Sequence, residues 1–519
     1  MQKLPIGIQT FEDIRTENYL YVDKTKQISN LIENGKCYFL SRPRRFGKSL
    51  TISTLEAMFK GKVELFKRLD AEEWVKEQAK HPNPVIKLDL SGLGNYTNIN
   101  ELKSALIDYL GEIIDDYNLN NIQLKENAGR IFAKIIKELH KKLGKVVVLI
   151  DEYDKPITDN IDNLKKANEI RNFLRSFYGI LKNSSTSDNL HFIFITGISK
   201  FSKTGVFSSL NNLEDISMDE EYSNIVGYTQ QELEGNFGEW LEKASQKLSM
   251  SRKELLDKIK EYYDGFSFDG IVRVYNPFSV LNFLKKSEFG NYWYNSATPS
   301  FLAKYLKNHK IKAPKEYIQK KVTSDFTLTH EIETTSVESF LYQAGYLTIS
   351  EKKGDILILD YPNEEVKISM DRLYLDNFYN IKDYAEFSND IWEALEVENI
   401  PQIVSIFNQA LKGVPYDDYN NRDEAWYRSL FLMLLSGARI TYFAEVHTFQ
   451  GRSDVVIVFK NKIIVIEFKF AKNSKGISYQ RKKGKEQIES RDYASTYKAT
   501  KKVITAVFIA NDDKKQVSL

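Results

Sequence analysis

The hydrophobic positions of the first 215 residues alternate between short continuous runs and longer, helix-like stretches. Continuous apolar runs occur at Cys37–Leu40, at Val146–Ile150 and in LHFIFITG, which contains Thr196. Between them lie stretches such as AGRIFAKIIKELHKKLG and ANEIRNFLRSFYGILK. Continuous apolar strands suit a parallel sheet covered on both faces, and their alternation with helices favours that architecture. The pattern predicts an α/β domain over residues 1–215, with ligands at the carboxyl ends of its strands.

The pattern becomes helical over residues 216–300 and mixed over residues 301–385. Thr229 and Glu232 have capping-box spacing, and Pro277 stands where the first residue of a helix is expected. We therefore expect a helical lid on the α/β domain, although any helical subdomain would fit. The mixed segment predicts helix, strand, turn and strand, a winged-helix-like outline. Such a segment serves equally well as a DNA contact or as a spacer.

The last predicted domain, residues 386–519, contains two apolar strands joined by a short turn. If that turn is Lys460–Asn461, then Asp454 lies directly across from Glu467. Because side chains alternate along a strand, Glu467 and Lys469 share a face. Two carboxylates and an ammonium group then converge, and oxygen ligands of this kind suit Mg²⁺ or Mn²⁺ in phosphodiester hydrolysis. The alternative is an amphipathic hairpin, but charges beside apolar strands cost free energy unless they have partners.

The segment CYFLSRPRRFGKSL joins the first apolar run to a helix-like stretch and ends in a Gly-Lys-Ser motif. It departs from the pattern G-x-x-x-x-G-K-[ST] because Arg42 stands where the first glycine belongs. Amides at the start of such a helix attract phosphate oxygens, while Lys48 and Ser49 supply a positive charge and a Mg²⁺ ligand. A basic loop that merely contains these three residues is the alternative.

A second apolar run, in GKVVVLIDEYDKPI, ends in Asp151 and Glu152 about 100 residues after the phosphate loop. The aspartate can hold Mg²⁺ through Ser49 or water, and the glutamate can orient a water toward the γ-phosphate of ATP. Thr196 and Ser199, near the end of the next strand, are candidates for sensing that phosphate. Alone, the acidic pair could simply end a buried strand, but the upstream motif favours a nucleotide site.

Composition is that of an ordinary soluble protein, with 42% hydrophobic and 28% charged residues in 519. This length accommodates roughly three domains. Cys37 is the only cysteine, so no intrachain disulfide or zinc-type Cys/His spacing is available. The N-terminus lacks the apolar core of a secretory signal, and no run approaches the length of a membrane span. We expect a cytoplasmic protein with no membrane partner.

The formal net charge of +2 conceals a basic C-terminal segment. From Lys469 to Lys502 the chain has 11 Lys or Arg against 3 Asp or Glu. Positive charge at this density favours a nucleic-acid backbone through counterion release, although a solvated helical face is the alternative. The residues expected to contact nucleic acid on a helix here are Lys482, Lys483, Lys485, Gln487 and Tyr493.

Eight motifs occur in order along the chain: LPIGIQTFEDIR, YVDKT, FLSRPRRFGKSL, LIDEYDKPI, FITGISKFSK, FSSLNNLEDIS, GRSD and IEFK. With these motifs, nearly the whole chain resembles a bacterial family that joins an AAA-ATPase-like domain to a C-terminal PD-(D/E)XK nuclease domain. The resemblance implies a P-loop NTPase core with a helical lid, a winged-helix-like middle segment and a nuclease-like α/β domain.

In this family RPRRFGKS is the usual form of the phosphate loop. The resemblance therefore implies ATP binding by Arg42, Arg45, Gly47, Lys48 and Ser49. It also makes Asp151 and Glu152 the Walker B pair, with Thr196 added to the nucleotide site. Arg171 and Arg175, on the helix after that pair, would act as arginine fingers only in a ring-shaped homo-oligomer.

The resemblance assigns the nuclease triad to Asp454, Glu467 and Lys469, with the polar residues of the basic helix in the trailing position. Nucleases of this class often recruit one more acid. Glu424 and Glu445 both qualify, and the sequence does not choose between them. We include Glu445 among the predicted metal ligands.

The sequence thus predicts an ATPase coupled to a Mg²⁺-dependent nuclease that acts on DNA rather than RNA, in defence against foreign DNA or in its mobility. A nucleotide-switched signalling or scaffolding NTPase, whose nuclease fold only binds nucleic acid, is the first alternative. A nuclease with a vestigial ATPase site is the second.

Overall fold

The computed structural model describes residues 1–94, 96–200, 206, 212–297, 302, 305, 314–327, 335–378, 384–414, 422–448, 451–490 and 502–519. The chain divides into two compact units, Met1–Val366 and Lys367–Leu519. Across the described ranges, no helix combines the length and the apolar character needed to cross a membrane.

The first unit is built around a five-stranded sheet with the order β2-β3-β4-β1-β5, in which every neighbouring pair is parallel. Its strands are β1 Cys37–Ser41, β2 Val85–Asp89, β3 Val146–Asp151, β4 Leu190–Gly197 and β5 Glu214–Asp215. All residues of β1 and β3 are buried, which confirms the apolar runs as central strands. Because β4 lies between β1 and β3, its end separates the phosphate loop from the acidic pair.

Nine helices accompany this sheet in the described residues. They are α1 Phe11–Thr16, α2 Thr25–Asn34, α3 Lys48–Phe59, α4 Glu72–Gln78, α5 Ile99–Asp116, α6 Ala128–Leu143, α7 Lys155–Thr158, α8 Leu164–Gly179 and α9 Ser184–Ser187. Helix α6 shows how the sequence specifies them. Asn127 caps its first turn, and Ile131, Ile135 and Leu139 bury one stripe at helical spacing. Gly144, with a φ of +98°, ends the helix.

The predicted helical segment follows β5. Its described helices are α10 Gln230–Asn236, α11 Gly238–Leu248, α12 Arg252–Tyr263, α13 Pro277–Lys286 and α14 Tyr292–Ala297. The capping box of Thr229 and Glu232 is confirmed, with both reciprocal hydrogen bonds present. Pro277 is the first residue of α13, and the Asn276 side chain caps that helix as expected. These helices share an apolar core with Leu20 and Val22, which lie between α1 and α2.

The winged-helix-like segment has the predicted order of elements. Helix α15 (Val337–Ala344) precedes β7 (Thr348–Lys353) and β8 (Ile356–Asp360), and β6 (Lys320–Thr323) completes an antiparallel sheet of order β6-β8-β7.

The end of α15 approaches the phosphate loop. Gly345 follows the helix with a φ of +90°, and a Cβ atom added there would lie 2.7 Å from Pro43 Cβ and 3.2 Å from the Trp293 ring. Glycine is required here by both the backbone conformation and the lack of space.

The second unit contains a mixed sheet of order β13-β12-β11-β10-β9. Its strands are β9 Tyr442–Thr448, β10 Gly451–Phe459, β11 Lys462–Ala471, β12 Lys502–Asn511 and β13 Gln516–Ser518. Strands β11 and β12 pair in parallel, whereas the other pairs are antiparallel. The helices described from residue 364 onward are α16 Glu364–Phe378, α17 Tyr384–Glu396, α18 Ile400–Lys412, α19 Glu424–Gly437 and α20 Ile477–Ser490. Phe431 of α19 packs on Phe468 and Phe508, which anchors this helix over the strands.

Candidate functional site

The phosphate loop leaves β1 and ends at Lys48, the first residue of α3. Two residues with left-handed backbone shape the turn, Arg45 (φ +68°) and Gly47 (φ +101°). Lys48 is buried, and its Nζ donates hydrogen bonds to the carbonyl oxygens of Arg42 and Pro43, each at 2.9 Å. Burial lowers the pKa of this ammonium group. The loop therefore holds a positive charge beside the amides of a helix start, where a phosphate group is stabilised.

The acidic pair lies at the end of β3. Asp151 is buried, and its Oδ1 accepts hydrogen bonds from Thr196 Oγ1 at 2.6 Å and from the Glu152 backbone N–H at 3.0 Å. Glu152 has a left-handed backbone, with a φ of +48°. Burial raises the pKa of its carboxyl group, although the nearby Lys48 opposes the shift. A carboxylate with a raised pKa at a strand end is suited to accept a proton from water.

A cavity of about 430 Å³ adjoins the phosphate loop, and its volume is within the range of small-molecule sites. Its polar wall comprises Arg44, Arg45, Gly47, Lys48, Ser49 and Glu152. Its apolar lining residues include Pro5, Ile8, Tyr228 and Phe278. The Arg45 guanidinium group lies 5.0 Å from the centre of the Phe278 ring. A lining that combines charged and apolar side chains suits a nucleotide, which has phosphates at one end and a flat base at the other.

Arg42, which the sequence placed in the nucleotide site, is not among the residues that line the cavity. Its guanidinium group is buried and donates hydrogen bonds to the carbonyl oxygens of Ser41 at 2.9 Å, Ser217 at 2.6 Å and Tyr222 at 3.2 Å. It also lies 4.0 Å from the centre of the Phe268 ring. These hydrogen bonds join the start of the phosphate loop to the end of β1 and to the segment after β5.

The second site lies on the hairpin of β10 and β11. Phe459 pairs with Lys462, and the register continues to the pair Val455 and Ile466. This confirms the predicted turn and sets Asp454 across from Glu467. On the other side of β10, Ser453 pairs with Val446, so Glu445 of β9 stands beside Asp454.

The three triad candidates come together in the structure, and all are buried. Lys469 Nζ donates to Glu467 Oε1 at 2.7 Å and to the Phe468 carbonyl oxygen at 2.8 Å. Asp454 Oδ2 accepts from the Phe468 backbone N–H at 2.8 Å. The backbone of β11 thus holds the acid of β10, so the two carboxylates and the ammonium group are fixed relative to one another.

The surroundings of the Glu467 carboxyl group disfavour its charged form. Burial, with Asp454 as the next contributor, raises the pKa of its carboxyl group to about 7, while Lys469 opposes the shift. Its Oε2 is buried and has no hydrogen-bond partner in the ranges that the structure describes. A buried carboxylate oxygen without a partner is costly. A hard divalent cation would satisfy both this oxygen and the neighbouring negative charge, so the donor set fits Mg²⁺ or Mn²⁺.

The two additional acids occupy different surroundings. Glu445 Oε1 accepts a hydrogen bond from Arg428 at 3.0 Å, and the other nitrogen of that arginine donates to Asp454 Oδ1 at 2.6 Å. Glu424 begins α19, and burial raises the pKa of its carboxyl group, a shift that Lys469 opposes and Asp454 increases. Among the described residues, no group of three or more His, Cys, Asp or Glu side chains is arranged to hold a metal ion.

Two family models match the chain. The model described as "Predicted AAA-ATPase" matches residues 5–207, and the model of the PD-(D/E)XK nuclease superfamily matches residues 422–518. An uncharacterized protein in the vnfD 5′ region of Azotobacter chroococcum mcd 1 is 34% identical over 512 residues, covering 96% of this chain and 94% of that protein. The chain belongs to this family of AAA-ATPase-like proteins with a C-terminal PD-(D/E)XK domain.

Two solved structures are more distant from this AAA-ATPase-like protein. The Walker-type ATPase PABY2304 of Pyrococcus abyssi is 13% identical, has a TM-score of 0.34 and aligns over 69% of this chain and 97% of its own. The ORC2 protein of Aeropyrum pernix is 12% identical, has a TM-score of 0.31 and aligns over 70% and 97%.

The basic helix of the PD-(D/E)XK domain is α20. Gly484 and Ile488 face the sheet, and a Cβ atom added at Gly484 would lie 2.5 Å from Val507 Cγ1 and 3.4 Å from Lys469 Cγ. The helix therefore packs beside the stem of the triad lysine. Its outer face carries the three exposed α20 lysines, Lys482, Lys483 and Lys485.

Gln487 is half-buried on the same helix, whereas Tyr493 lies outside the described residues.

Two site residues of this AAA-ATPase-like protein escaped the sequence analysis. Asp154 is buried and accepts hydrogen bonds from the backbone N–H and hydroxyl of Ser199, at 2.7 and 2.5 Å, so Ser199 braces the acidic turn. The repeated acid in DEYD was a signal for it. Arg428 had no comparable signal, since its partners lie 17 and 26 residues away. Arg171 and Arg175, on α8, do not line the cavity.

Proposed function

We propose that this protein binds and hydrolyses ATP and that its nucleotide site controls a Mg²⁺-dependent nuclease acting on DNA. The observation that carries the proposal is the buried set of Asp454, Glu467 and Lys469 on paired strands. Three buried ionisable groups on two largely apolar strands cost free energy, and such clusters are typical of functional sites. The match of residues 422–518 to a nuclease superfamily supports the same conclusion at the level of the fold.

At the nucleotide site, Lys48 would neutralise phosphate oxygens, while Ser49 and Asp151 would hold Mg²⁺. Glu152 lines the cavity and would orient and deprotonate the attacking water. Thr196 acts through Asp151, since its hydroxyl donates to that carboxylate. The role of Arg42 in this scheme is to hold the loop rather than to contact phosphate.

At the nuclease site, Asp454 and Glu467 would bind the divalent cation, with Glu424 as the additional acid. When bound, the cation lowers the pKa of a water ligand and neutralises charge on the phosphodiester. The Lys469 ammonium group donates a hydrogen bond to Glu467 in the structure. During cleavage it would donate to the phosphate oxygens as negative charge develops there. Charge from the α20 lysines would hold the nucleic-acid backbone nearby.

The biological setting that we propose is a cytoplasmic one, in defence against foreign DNA or in its mobility. Arg171 and Arg175 would act as arginine fingers only if the protein forms a homo-oligomer. Light scattering of the full chain with and without ATP tests this assembly.

One observation favours a second function, that of a nucleotide-switched protein whose nuclease fold only binds nucleic acid. Asp454 Oδ1 forms an ion pair with Arg428 in the structure, so this oxygen is not open to a metal ion.

The experiment that separates the two functions is cleavage of plasmid and linear DNA by the full chain. Reactions contain Mg²⁺ or Mn²⁺ with ATP, ADP or no nucleotide, and the Asp454→Asn variant serves as the control. Cleavage that requires the metal and is lost in Asp454→Asn supports the nuclease. Binding of DNA without cleavage under every condition would leave the nucleotide-switched binding protein.

A further inference from the structure

The guanidinium group of Arg428 forms a bridge between two carboxylates at the nuclease site. Its NH1 lies 2.6 Å from Asp454 Oδ1, and its NH2 lies 3.0 Å from Glu445 Oε1. The arginine comes from α19, one helical turn after Glu424. Its side chain is only 15% exposed, as is needed for a strong charge-assisted pair. Glu445, in contrast, is 43% exposed.

This bridge conflicts with metal binding by Asp454. Both oxygens of that carboxylate are used, Oδ1 by Arg428 and Oδ2 by the Phe468 N–H group. Glu467 Oε2, across the strand pair, has no partner among the described residues. A cation bound between the two acids therefore needs Oδ1, and it would be repelled by a guanidinium group in contact with the same oxygen.

The charges around the site indicate how the conflict is resolved. Among the described residues, Arg428 contacts Asp454 and Glu445, and Lys469 contacts Glu467. Each of the two cations therefore offsets part of the negative charge of the carboxylates that it contacts. The arginine thus acts as a partial counter-ion for a site that would otherwise hold several buried negative charges.

We propose that Arg428 occupies the ligand position of Asp454 in the metal-free protein and that a divalent cation displaces it, with Glu445 retaining the displaced guanidinium group. This inference rests on the proposed nuclease function, because it concerns the same metal site. Glu445 becomes a positioning residue that anchors the arginine, not a metal ligand. The arginine sets the metal concentration at which the site fills.

The test measures Mn²⁺ affinity by titration calorimetry on the full chain without nucleotide or DNA. Arg428→Met keeps the aliphatic stem but removes the competing charge, so we expect Mn²⁺ to bind about tenfold more tightly. Glu445→Gln leaves Arg428 with Asp454 as its acidic partner, so Mn²⁺ should bind a few-fold more weakly. Asp454→Asn removes the charge of the ligand oxygen, so the heat of Mn²⁺ binding that is lost in this variant belongs to this site.

The double variant Arg428→Met with Glu445→Gln separates an anchor from a ligand. If Glu445 acts through Arg428, adding Glu445→Gln to Arg428→Met leaves the Mn²⁺ affinity unchanged. A further loss of affinity would show that Glu445 is itself a ligand and would overturn its assigned role.

The single variants also distinguish the inference from the proposed function. If Arg428→Met binds Mn²⁺ no more tightly than the wild type, while Asp454→Asn loses binding, the inference is wrong and the metal site stands. If neither the wild type nor Arg428→Met shows a heat that depends on Asp454, both the inference and the nuclease function fail. Should Arg428→Met not fold, the half-exposed Glu445→Gln still decides the question, since unchanged affinity in that variant contradicts the competition.

Discussion

Replacing Arg42 by glycine would restore the usual phosphate-loop pattern, yet we expect it to destabilise the protein. The guanidinium group donates to three carbonyl oxygens and contacts the Phe268 ring. A buried acceptor that loses its donor costs about 1–3 kcal/mol. Burial lowers the pKa of Arg42 to about 10, so removing the charge also relieves a desolvation cost. The net loss in free energy of unfolding should be about 3 kcal/mol, part of it from the flexibility of glycine.

The assay is thermal unfolding followed by circular dichroism, with Arg45→Gly as the matched control in the same loop. A loss of about 3 kcal/mol should lower the unfolding temperature of Arg42→Gly by roughly 4 °C, given an unfolding entropy of about 2.1 cal/mol/K per residue in the unit Met1–Val366. Arg45 is exposed and has a left-handed backbone, which glycine adopts without strain, so Arg45→Gly should unfold at or slightly above the wild-type temperature. Equal unfolding temperatures for the two variants would refute the structural role of Arg42 and return it to the nucleotide site.

Three further predictions concern chemistry. Lys48→Ala should weaken binding of a fluorescent ATP analogue at least tenfold, because helix amides cannot replace the lost charge. Glu152→Gln should bind ATP but hydrolyse it slowly. Equal phosphate release by both variants and the wild type would contradict the ATPase site. Burial raises the pKa of Glu467 to about 7, and its proton must leave before the metal binds. Mn²⁺ affinity should therefore increase with pH up to about 7 and then level off. Calorimetry between pH 6 and 8 measures this affinity, and a flat profile would contradict the prediction. Neutralising the three α20 lysines should reduce the salt dependence of DNA affinity by about three phosphate contacts, and an unchanged slope in fluorescence anisotropy would show that they form a solvated face.

The strand pairing at the nuclease site could be predicted from the sequence because it depends on local rules. Alternation of side chains and a two-residue turn set Asp454 across from Glu467, and the pairing of Phe459 with Lys462 confirms both. In the same way, the capping box at Thr229 depends only on residues three positions apart.

The orientation of the arginines could not be predicted because their partners are distant in the sequence. Arg42 bonds to carbonyl groups at positions 217 and 222, which no pattern around the phosphate loop reveals. Its motif position suggested a phosphate contact, whereas the tertiary structure offered buried acceptors. Arg428 likewise is one of a few polar residues in a largely apolar helix, and its role becomes visible only when α19 packs on β9 and β11.

The contact between Gly345 and Pro43 connects the phosphate loop directly to the end of α15. The rigid Pro43 ring lies against the Gly345 backbone, so little space is left at this contact to absorb a displacement. If nucleotide shifts the loop by about an ångström, the helix must move with it or resist it, because packed interfaces switch between arrangements rather than deform smoothly. We therefore expect a displacement of the phosphate loop to be transmitted to α15 through this contact.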